Sequence, residues 1–297
     1  MLRSLVGSEM CIRDSTRSER YEFWGKKFKF NYDEFAISLN EVDSVRLKAG
    51  YEAQKKVTPD GRTLIPMIMV QSVIEEVSGK LEIDRPSNKS GNLSDSFPQY
   101  PLFHSLKKSY VRYNKRNIRG KAYEPDKFYF QLDTFTVDSM GTFSNQGLKF
   151  SGKFNSGGIF PEFKENLTLM PDDHSFGFKR KAPPQGYPVY GGKANYKNNI
   201  VLSNRGLMGD GDFEYITSIS KSKAFIFYPD SMNALAESSN IAPQISGVEY
   251  PKVEGKHVKI AYYTKDDFLN IEKRSIPIEM YNGEAKINGV LKYDYKE

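Results

Sequence analysis

The chain has 297 residues, of which 38% are hydrophobic, 43 are Lys or Arg and 37 are Asp or Glu, for a formal charge of +6. That size and apolar share suit one large or two ordinary domains, while 23 Gly, 15 Pro and a single Cys exclude collagen-like, mucin-like and disulfide-stapled classes. No apolar run reaches the ~18 residues of a membrane-spanning helix, and 20 Phe with 19 Tyr against one Trp favour strands, where rings fit a half-buried pleated surface.

Met1 to Ser15 reads MLRSLVGSEMCIRDS and resembles translated sequencing-adapter DNA at the end of an assembled read. Residues 1–15 are therefore expected to be non-native. A secretory signal is not supported, because Ser4, Gly7, Ser8 and Glu9 interrupt the only apolar run. Setting the segment aside removes Cys11, and thiolate catalysis and Cys-ligated zinc go with it.

Period-two alternation then dominates. Phe35, Ile37 and Leu39 are followed in the same phase by Val45 and Leu47. Thr58-Pro59-Asp60-Gly61 is a turn, and 84–101 is a long polar loop. Phe128, Phe130 and Leu132 alternate before the phase slips to Phe135 and Val137, as at a bulge. The only helical candidate is Ser231 to Ser238, with Met232, Leu235 and Ala236 on one face and Asp230 or Ser231 as cap. Val258, Ile260 and Tyr262, then Ile276, Ile278 and Met280, return to the strand pattern. Glu284 to Tyr295 is strand-patterned almost to the last residue, so the chain is expected to be an internal fragment of a longer protein. The expected segments are 16–125, β-rich with the loop at 84–101; 126–245, solenoid-like; and 246–297, β-rich and continuing beyond the fragment.

Four segments, beginning at Val73, Gly147, Gly206 and Gly283, share one pattern. In each, a glycine (Gly79, Gly152, Gly211, Gly289) lies two residues before a Leu or Phe, on the apolar face of its strand. An inward glycine marks a bulge or a place where a backbone or a ring approaches closely. Rings from neighbouring strands are expected to fill these gaps in a narrow, layered interior. The expected fold is all-β, an elongated β-solenoid or open β-groove of stacked strands, with a β-sandwich or jelly roll as the alternative.

The sharpest charge feature is KKSYVRYNKRNIRGK, which places Lys107, Lys108, Arg112, Lys115, Arg116, Arg119 and Lys121 in a run free of acidic residues, with Tyr110 and Tyr113 between them. Cations interleaved with aromatics are a pattern for polyanions: lipopolysaccharide and anionic headgroups are the favoured candidates, single-stranded nucleic acid a disfavoured one. A hydrated strand and loop is the competing reading. Tyr187-Pro188-Val189-Tyr190 could stack on a sugar ring or pin its loop to a sheet. Asp172-Asp173-His174 reads as a polar turn, and Asp210 with Asp212 as a solvated strand face without the rest of a calcium cage. His104, His174 and His257 form no metal motif, and no GxSxG elbow or phosphate loop is present. No catalytic residue, metal or cofactor is expected.

The glycine-centred strands resemble the strand repeats of AsmA/TamB-like envelope proteins. The stretches Phe154–Pro161, Leu202–Gly211 and Phe225–Ser231 resemble uncharacterised, very long envelope proteins of Gram-negative bacteria. The resemblance implies a periplasmic or envelope location and partners among other segments of the same long chain. The expected role is a non-enzymatic scaffold. A lipid- or polysaccharide-binding groove is the first alternative and a polysaccharide-active β-helix enzyme the second.

Overall fold

A computed structural model describes residues 20–50, 55–61, 63–138, 148–246 and 249–294. The segment 1–15, with Cys11, lies outside the described residues. The fold is all-β, with no α-helix among the described residues. In chain order the strands are β1 (Tyr21–Asn31), β2 (Ala36–Gly50), β3 (Lys56–Val57), β4 (Thr63–Leu64), β5 (Met67–Met69), β6 (Ile74–Glu82), β7 (Leu102–Ser105), β8 (Ser109–Arg112), β9 (Phe128–Leu132), β10 (Thr136–Val137), β11 (Lys149–Ser156) and β12 (Phe163–Leu169). They continue with β13 (Phe176–Lys181), β14 (Tyr187–Val189), β15 (Ala194–Ser203), β16 (Gly206–Tyr215), β17 (Ser218–Phe227), β18 (Ser231–Ile241), β19 (Val253–Tyr263), β20 (Phe268–Glu272), β21 (Ile278–Met280), β22 (Ala285–Ile287) and β23 (Val290–Asp294). The described residues divide into two compact units: those within 20–112, 129–154 and 164–177 form the first, and those within 113–128, 155–163 and 178–294 the second.

In the first unit, β1 pairs with β2, β2 with β6, β6 with both β7 and β8, and β8 with β9, all antiparallel. Ile37, Leu39, Val45 and Leu47 of β2 are buried, but a register shift between Leu39 and Val42 buries Val42 as well, so the strand does not keep the single phase that the sequence suggests. Rings bind this core in series: Phe23 to Phe103 (5.2 Å), Phe103 to Phe135 (5.9 Å), Phe135 to Phe150 (4.9 Å) and Phe150 to Phe176 (5.4 Å). Pairs at such separations add about 0.5–1.5 kcal/mol each beyond their buried area. The polar loop 84–101 folds around buried Asn88, whose Nδ2 donates to Asp84 (2.8 Å) and whose Oδ1 accepts from the Leu93 amide (2.9 Å).

In the second unit, β15 to β20 form an antiparallel meander, with β23 beside β20. The inner face carries a run of packed rings, Phe160–Phe227–Tyr196–Phe225–Phe213–Tyr262–Tyr215, with successive centroids 5.0, 5.0, 5.7, 6.2, 5.5 and 5.0 Å apart. Ser231 to Ser238 is part of β18 and not a helix. Tertiary pairing to β17 and β19 overrides a weak helical period, and Met232, Ala234 and Ala236 alternate into the core.

Two hairpins of this unit repeat one turn. Val189 pairs with Ala194 across Tyr190-Gly191-Gly192-Lys193, and Met280 with Ala285 across Tyr281-Asn282-Gly283-Glu284. In both, three successive residues have positive φ (53, 72 and 87°; 51, 57 and 95°), followed by a helical one. A tyrosine pays roughly 1–2 kcal/mol to stand in that region. Tyr190 recovers it, because its ring is buried against Tyr262 and its hydroxyl lies 2.8 Å from the Ser231 carbonyl.

The inward glycines divide. A Cβ on Gly79 would meet the Phe103 ring at 2.5 Å, and one on Gly152 the Phe130 ring at 2.5 Å, so a ring does occupy each of these gaps. Gly211 needs correcting: it is half-buried, sits at a bulge with φ +129°, and a Cβ there would meet backbone and Asn198, not a ring. The ring-filled gap lies two residues earlier, at Gly209, where the Tyr196 phenol stands. The bulge between them shifts the phase that strict alternation assumes. Gly289 needs correcting as well, since it is exposed between β22 and β23 with nothing near its Cβ position. Its alternation is that of a turn flanked by short strands.

Candidate binding surfaces

The run Lys107–Lys121 is divided between the two units. Lys107, Lys108 and Arg112 belong to the first unit; Lys115, Arg116, Arg119 and Lys121 to the second. Arg112 leaves the sequence's cation count, because its guanidinium is held by Glu75 (2.7 Å) and Glu76 (2.6 Å). Burial alone would lower its pKa; the hydrogen bonds and charges of the two glutamates outweigh that and raise it. Arg119 donates Nε–H to the Arg205 carbonyl (2.6 Å). Tyr113 is fully buried against Phe128 and presents no ring to a base. Lys107, Lys108, Lys115, Arg116 and Lys121 are exposed.

The other sequence candidates are structural. Asp173 accepts from the Ser175 amide and hydroxyl (3.1 and 2.7 Å), closing a turn. The Tyr187 ring stacks on Phe163 (5.8 Å) and its hydroxyl accepts from Arg180 (2.7 Å), so with buried Tyr190 it pins its loop to the sheet. Asp210 accepts from the Asn198 and Asn199 side chains (2.9 and 2.8 Å), and Asp212 faces Lys221 at 3.9 Å. Among the described residues no group of His, Cys, Asp and Glu could hold a metal ion, and no helix is long and apolar enough to cross a membrane.

One arrangement was not read from the sequence. Register places Trp24 opposite Ser44, Ser44 opposite Glu75, Glu75 opposite Tyr110 and Tyr110 opposite Gln131, in a row across β1, β2, β6, β8 and β9. All five side chains point away from the buried face, whose residues in the same strands are Val45, Ile74, Val111 and Phe130. Arg46 lies over the Trp24 ring (5.6 Å) and Arg112 over the Tyr110 ring (4.9 Å). Tyr129 meets Tyr110 edge-on at 5.5 Å. The Tyr110 hydroxyl accepts from Gln131 Nε2 (3.0 Å), whose Oε1 accepts from Lys108 (3.2 Å). Arg46, Lys108 and Arg112 are matched in charge by Glu22, Glu75 and Glu76, and Asp43 adds a carboxylate beside Ser44. The sequence signal was the lone Trp, but its neighbours come from distant strands, and only register joins them.

Comparisons with protein families, curated proteins and solved structures found no match.

Proposed function

We propose that the chain is a non-enzymatic β-scaffold segment of a large exported envelope protein, its strands extending an open groove that packs against further segments of the same kind. The observation that carries this reading is how the reactive side chains are used. Tyr123, Tyr190, Tyr196, Tyr215 and Tyr262, the groups with the most chemical potential inside the second unit, all spend their hydroxyls on main-chain carbonyls or on Asp267. Such groups stiffen a sheet, a use of polar side chains that suits a scaffold. The periplasmic or envelope location follows only from the sequence resemblance.

The test is small-angle scattering of the purified chain. A compact globule of this length has a radius of gyration of roughly 19 Å. The scaffold reading expects a clearly larger value and a skewed distance distribution. A value at the globular limit would sink it.

A further inference from the structure

We propose that the outward row of the first unit, Trp24–Ser44–Glu75–Tyr110–Gln131 flanked by Arg112, is a binding site for a neutral glycan chain. This stands apart from the scaffold reading and can hold or fail by itself.

Four observations carry it. Large planar rings sit on the outward face of a sheet, where small or charged side chains would serve solubility alone, and they stand three strand spacings apart, roughly 14 Å. That span accommodates a short oligosaccharide lying across the strands, with the apolar faces of its pyranose rings on Trp24 and Tyr110. Second, the ring of Tyr110 is fixed before any ligand arrives: Arg112 covers one side, Tyr129 meets it edge-on, and Gln131 holds the hydroxyl. A side chain already ordered loses little entropy on binding.

Third, between and beside the rings lie a carboxylate (Glu75), a guanidinium (Arg112), an amide (Gln131) and a hydroxyl (Ser44), the mixture of donors and acceptors that adjacent sugar hydroxyls require. Fourth, the local charges leave no positive excess. Glu22, Asp43, Glu75 and Glu76 offset Arg46, Lys108 and Arg112 with one carboxylate to spare, so the row offers no net attraction to a nucleic acid or a sulfated or phosphorylated polymer. A neutral glycan fits this surface and a polyanion does not.

The chain contains one Trp, so its intrinsic emission reports on this row alone. The full chain is titrated with cellohexaose, xylohexaose and maltohexaose, and separately with heparin and an oligodeoxythymidine, with calorimetry on the same samples. The expected result is a saturable change in Trp24 emission with at least one neutral sugar, undiminished by added salt because no counterions are released. Tyr110→Ala should then weaken binding about tenfold, a loss of about 1.4 kcal/mol. If that variant loses its strand circular dichroism, Gln131→Ala, which keeps the ring and frees its hydroxyl, should weaken the same sugar severalfold. No saturable binding of any neutral sugar overturns the proposal. So does binding confined to heparin or DNA and abolished by salt, or unchanged affinity in the folded variant.

Discussion

Tyr123 shows how one side chain can complete a ladder. Its hydroxyl accepts from the Leu207 amide (3.0 Å) and donates to the Phe227 carbonyl (2.8 Å), the register pair at the end of β16 and β17. Tyr123→Phe leaves both main-chain groups buried and unpaired, and should cost about 1–3 kcal/mol in chemical denaturation. A change below half that value would mean that the strands close on each other without it. Burial pushes the Tyr123 phenol up to about 12, and Tyr190, Tyr196 and Tyr262 are raised for the same first reason. A folded pKa above the unfolded one means that the folded state holds its protons longer. The stabilisation is complete below about pH 10 and is lost as pH rises through the folded values. The phenols should therefore ionise together with loss of strand circular dichroism, in one cooperative alkaline transition. A smooth titration near pH 10 with the sheet intact would contradict this.

At the scale of the element, the glycines and the repeated turn make paired tests. Gly152→Ala would drive a Cβ to within 2.1 Å of the Gln131 carbonyl, and Gly79→Ala to within 2.4 Å of the His104 carbonyl. Both contacts are with backbone, which cannot swing aside, so each should cost at least about 1–3 kcal/mol. Gly289→Ala meets nothing and should stay within about 0.5 kcal/mol. Thermal unfolding of the three variants decides whether the inward glycines are packing features or turn residues. The two Tyr-led turns differ in the same way. Tyr190→Phe removes a buried hydroxyl bond and should cost about 1–2 kcal/mol, whereas Tyr281, 55% exposed, should tolerate Phe without measurable change. The period-two pattern of β11 was legible because one face is buried along its whole length. Gly211 was misplaced because a bulge changes phase without any sequence mark.

For the whole molecule, acid should weaken the second unit where Glu214 accepts from Lys197 (2.6 Å) and Asn195 (2.9 Å). Burial alone would raise the Glu214 pKa, and these bonds more than reverse it, leaving it lowered. Its contribution is present above the ordinary glutamate pKa and is lost as pH falls through the lowered folded value. Glu214→Gln should therefore flatten the acid limb of a stability–pH curve while changing the neutral plateau little, since the pair is partly exposed and screened. An acid limb identical to the parent's would exclude Glu214 as its source.

The sequence by itself determined the class of fold. Alternating apolar residues, abundant Phe and Tyr and the inward Gly79 and Gly152 are local properties, and a strand with one buried face has no other way to satisfy them. It also determined how many cations lie between Lys107 and Lys121. What Arg112 does was decided by tertiary structure: it meets Glu75 and Glu76 from a strand more than thirty residues earlier, and its charge is matched there. The row from Trp24 to Gln131 was decided in the same way. Its members are strangers in sequence, and hydrogen-bond register, which couples distant strands at a fixed spacing, is the physical agent that makes them neighbours.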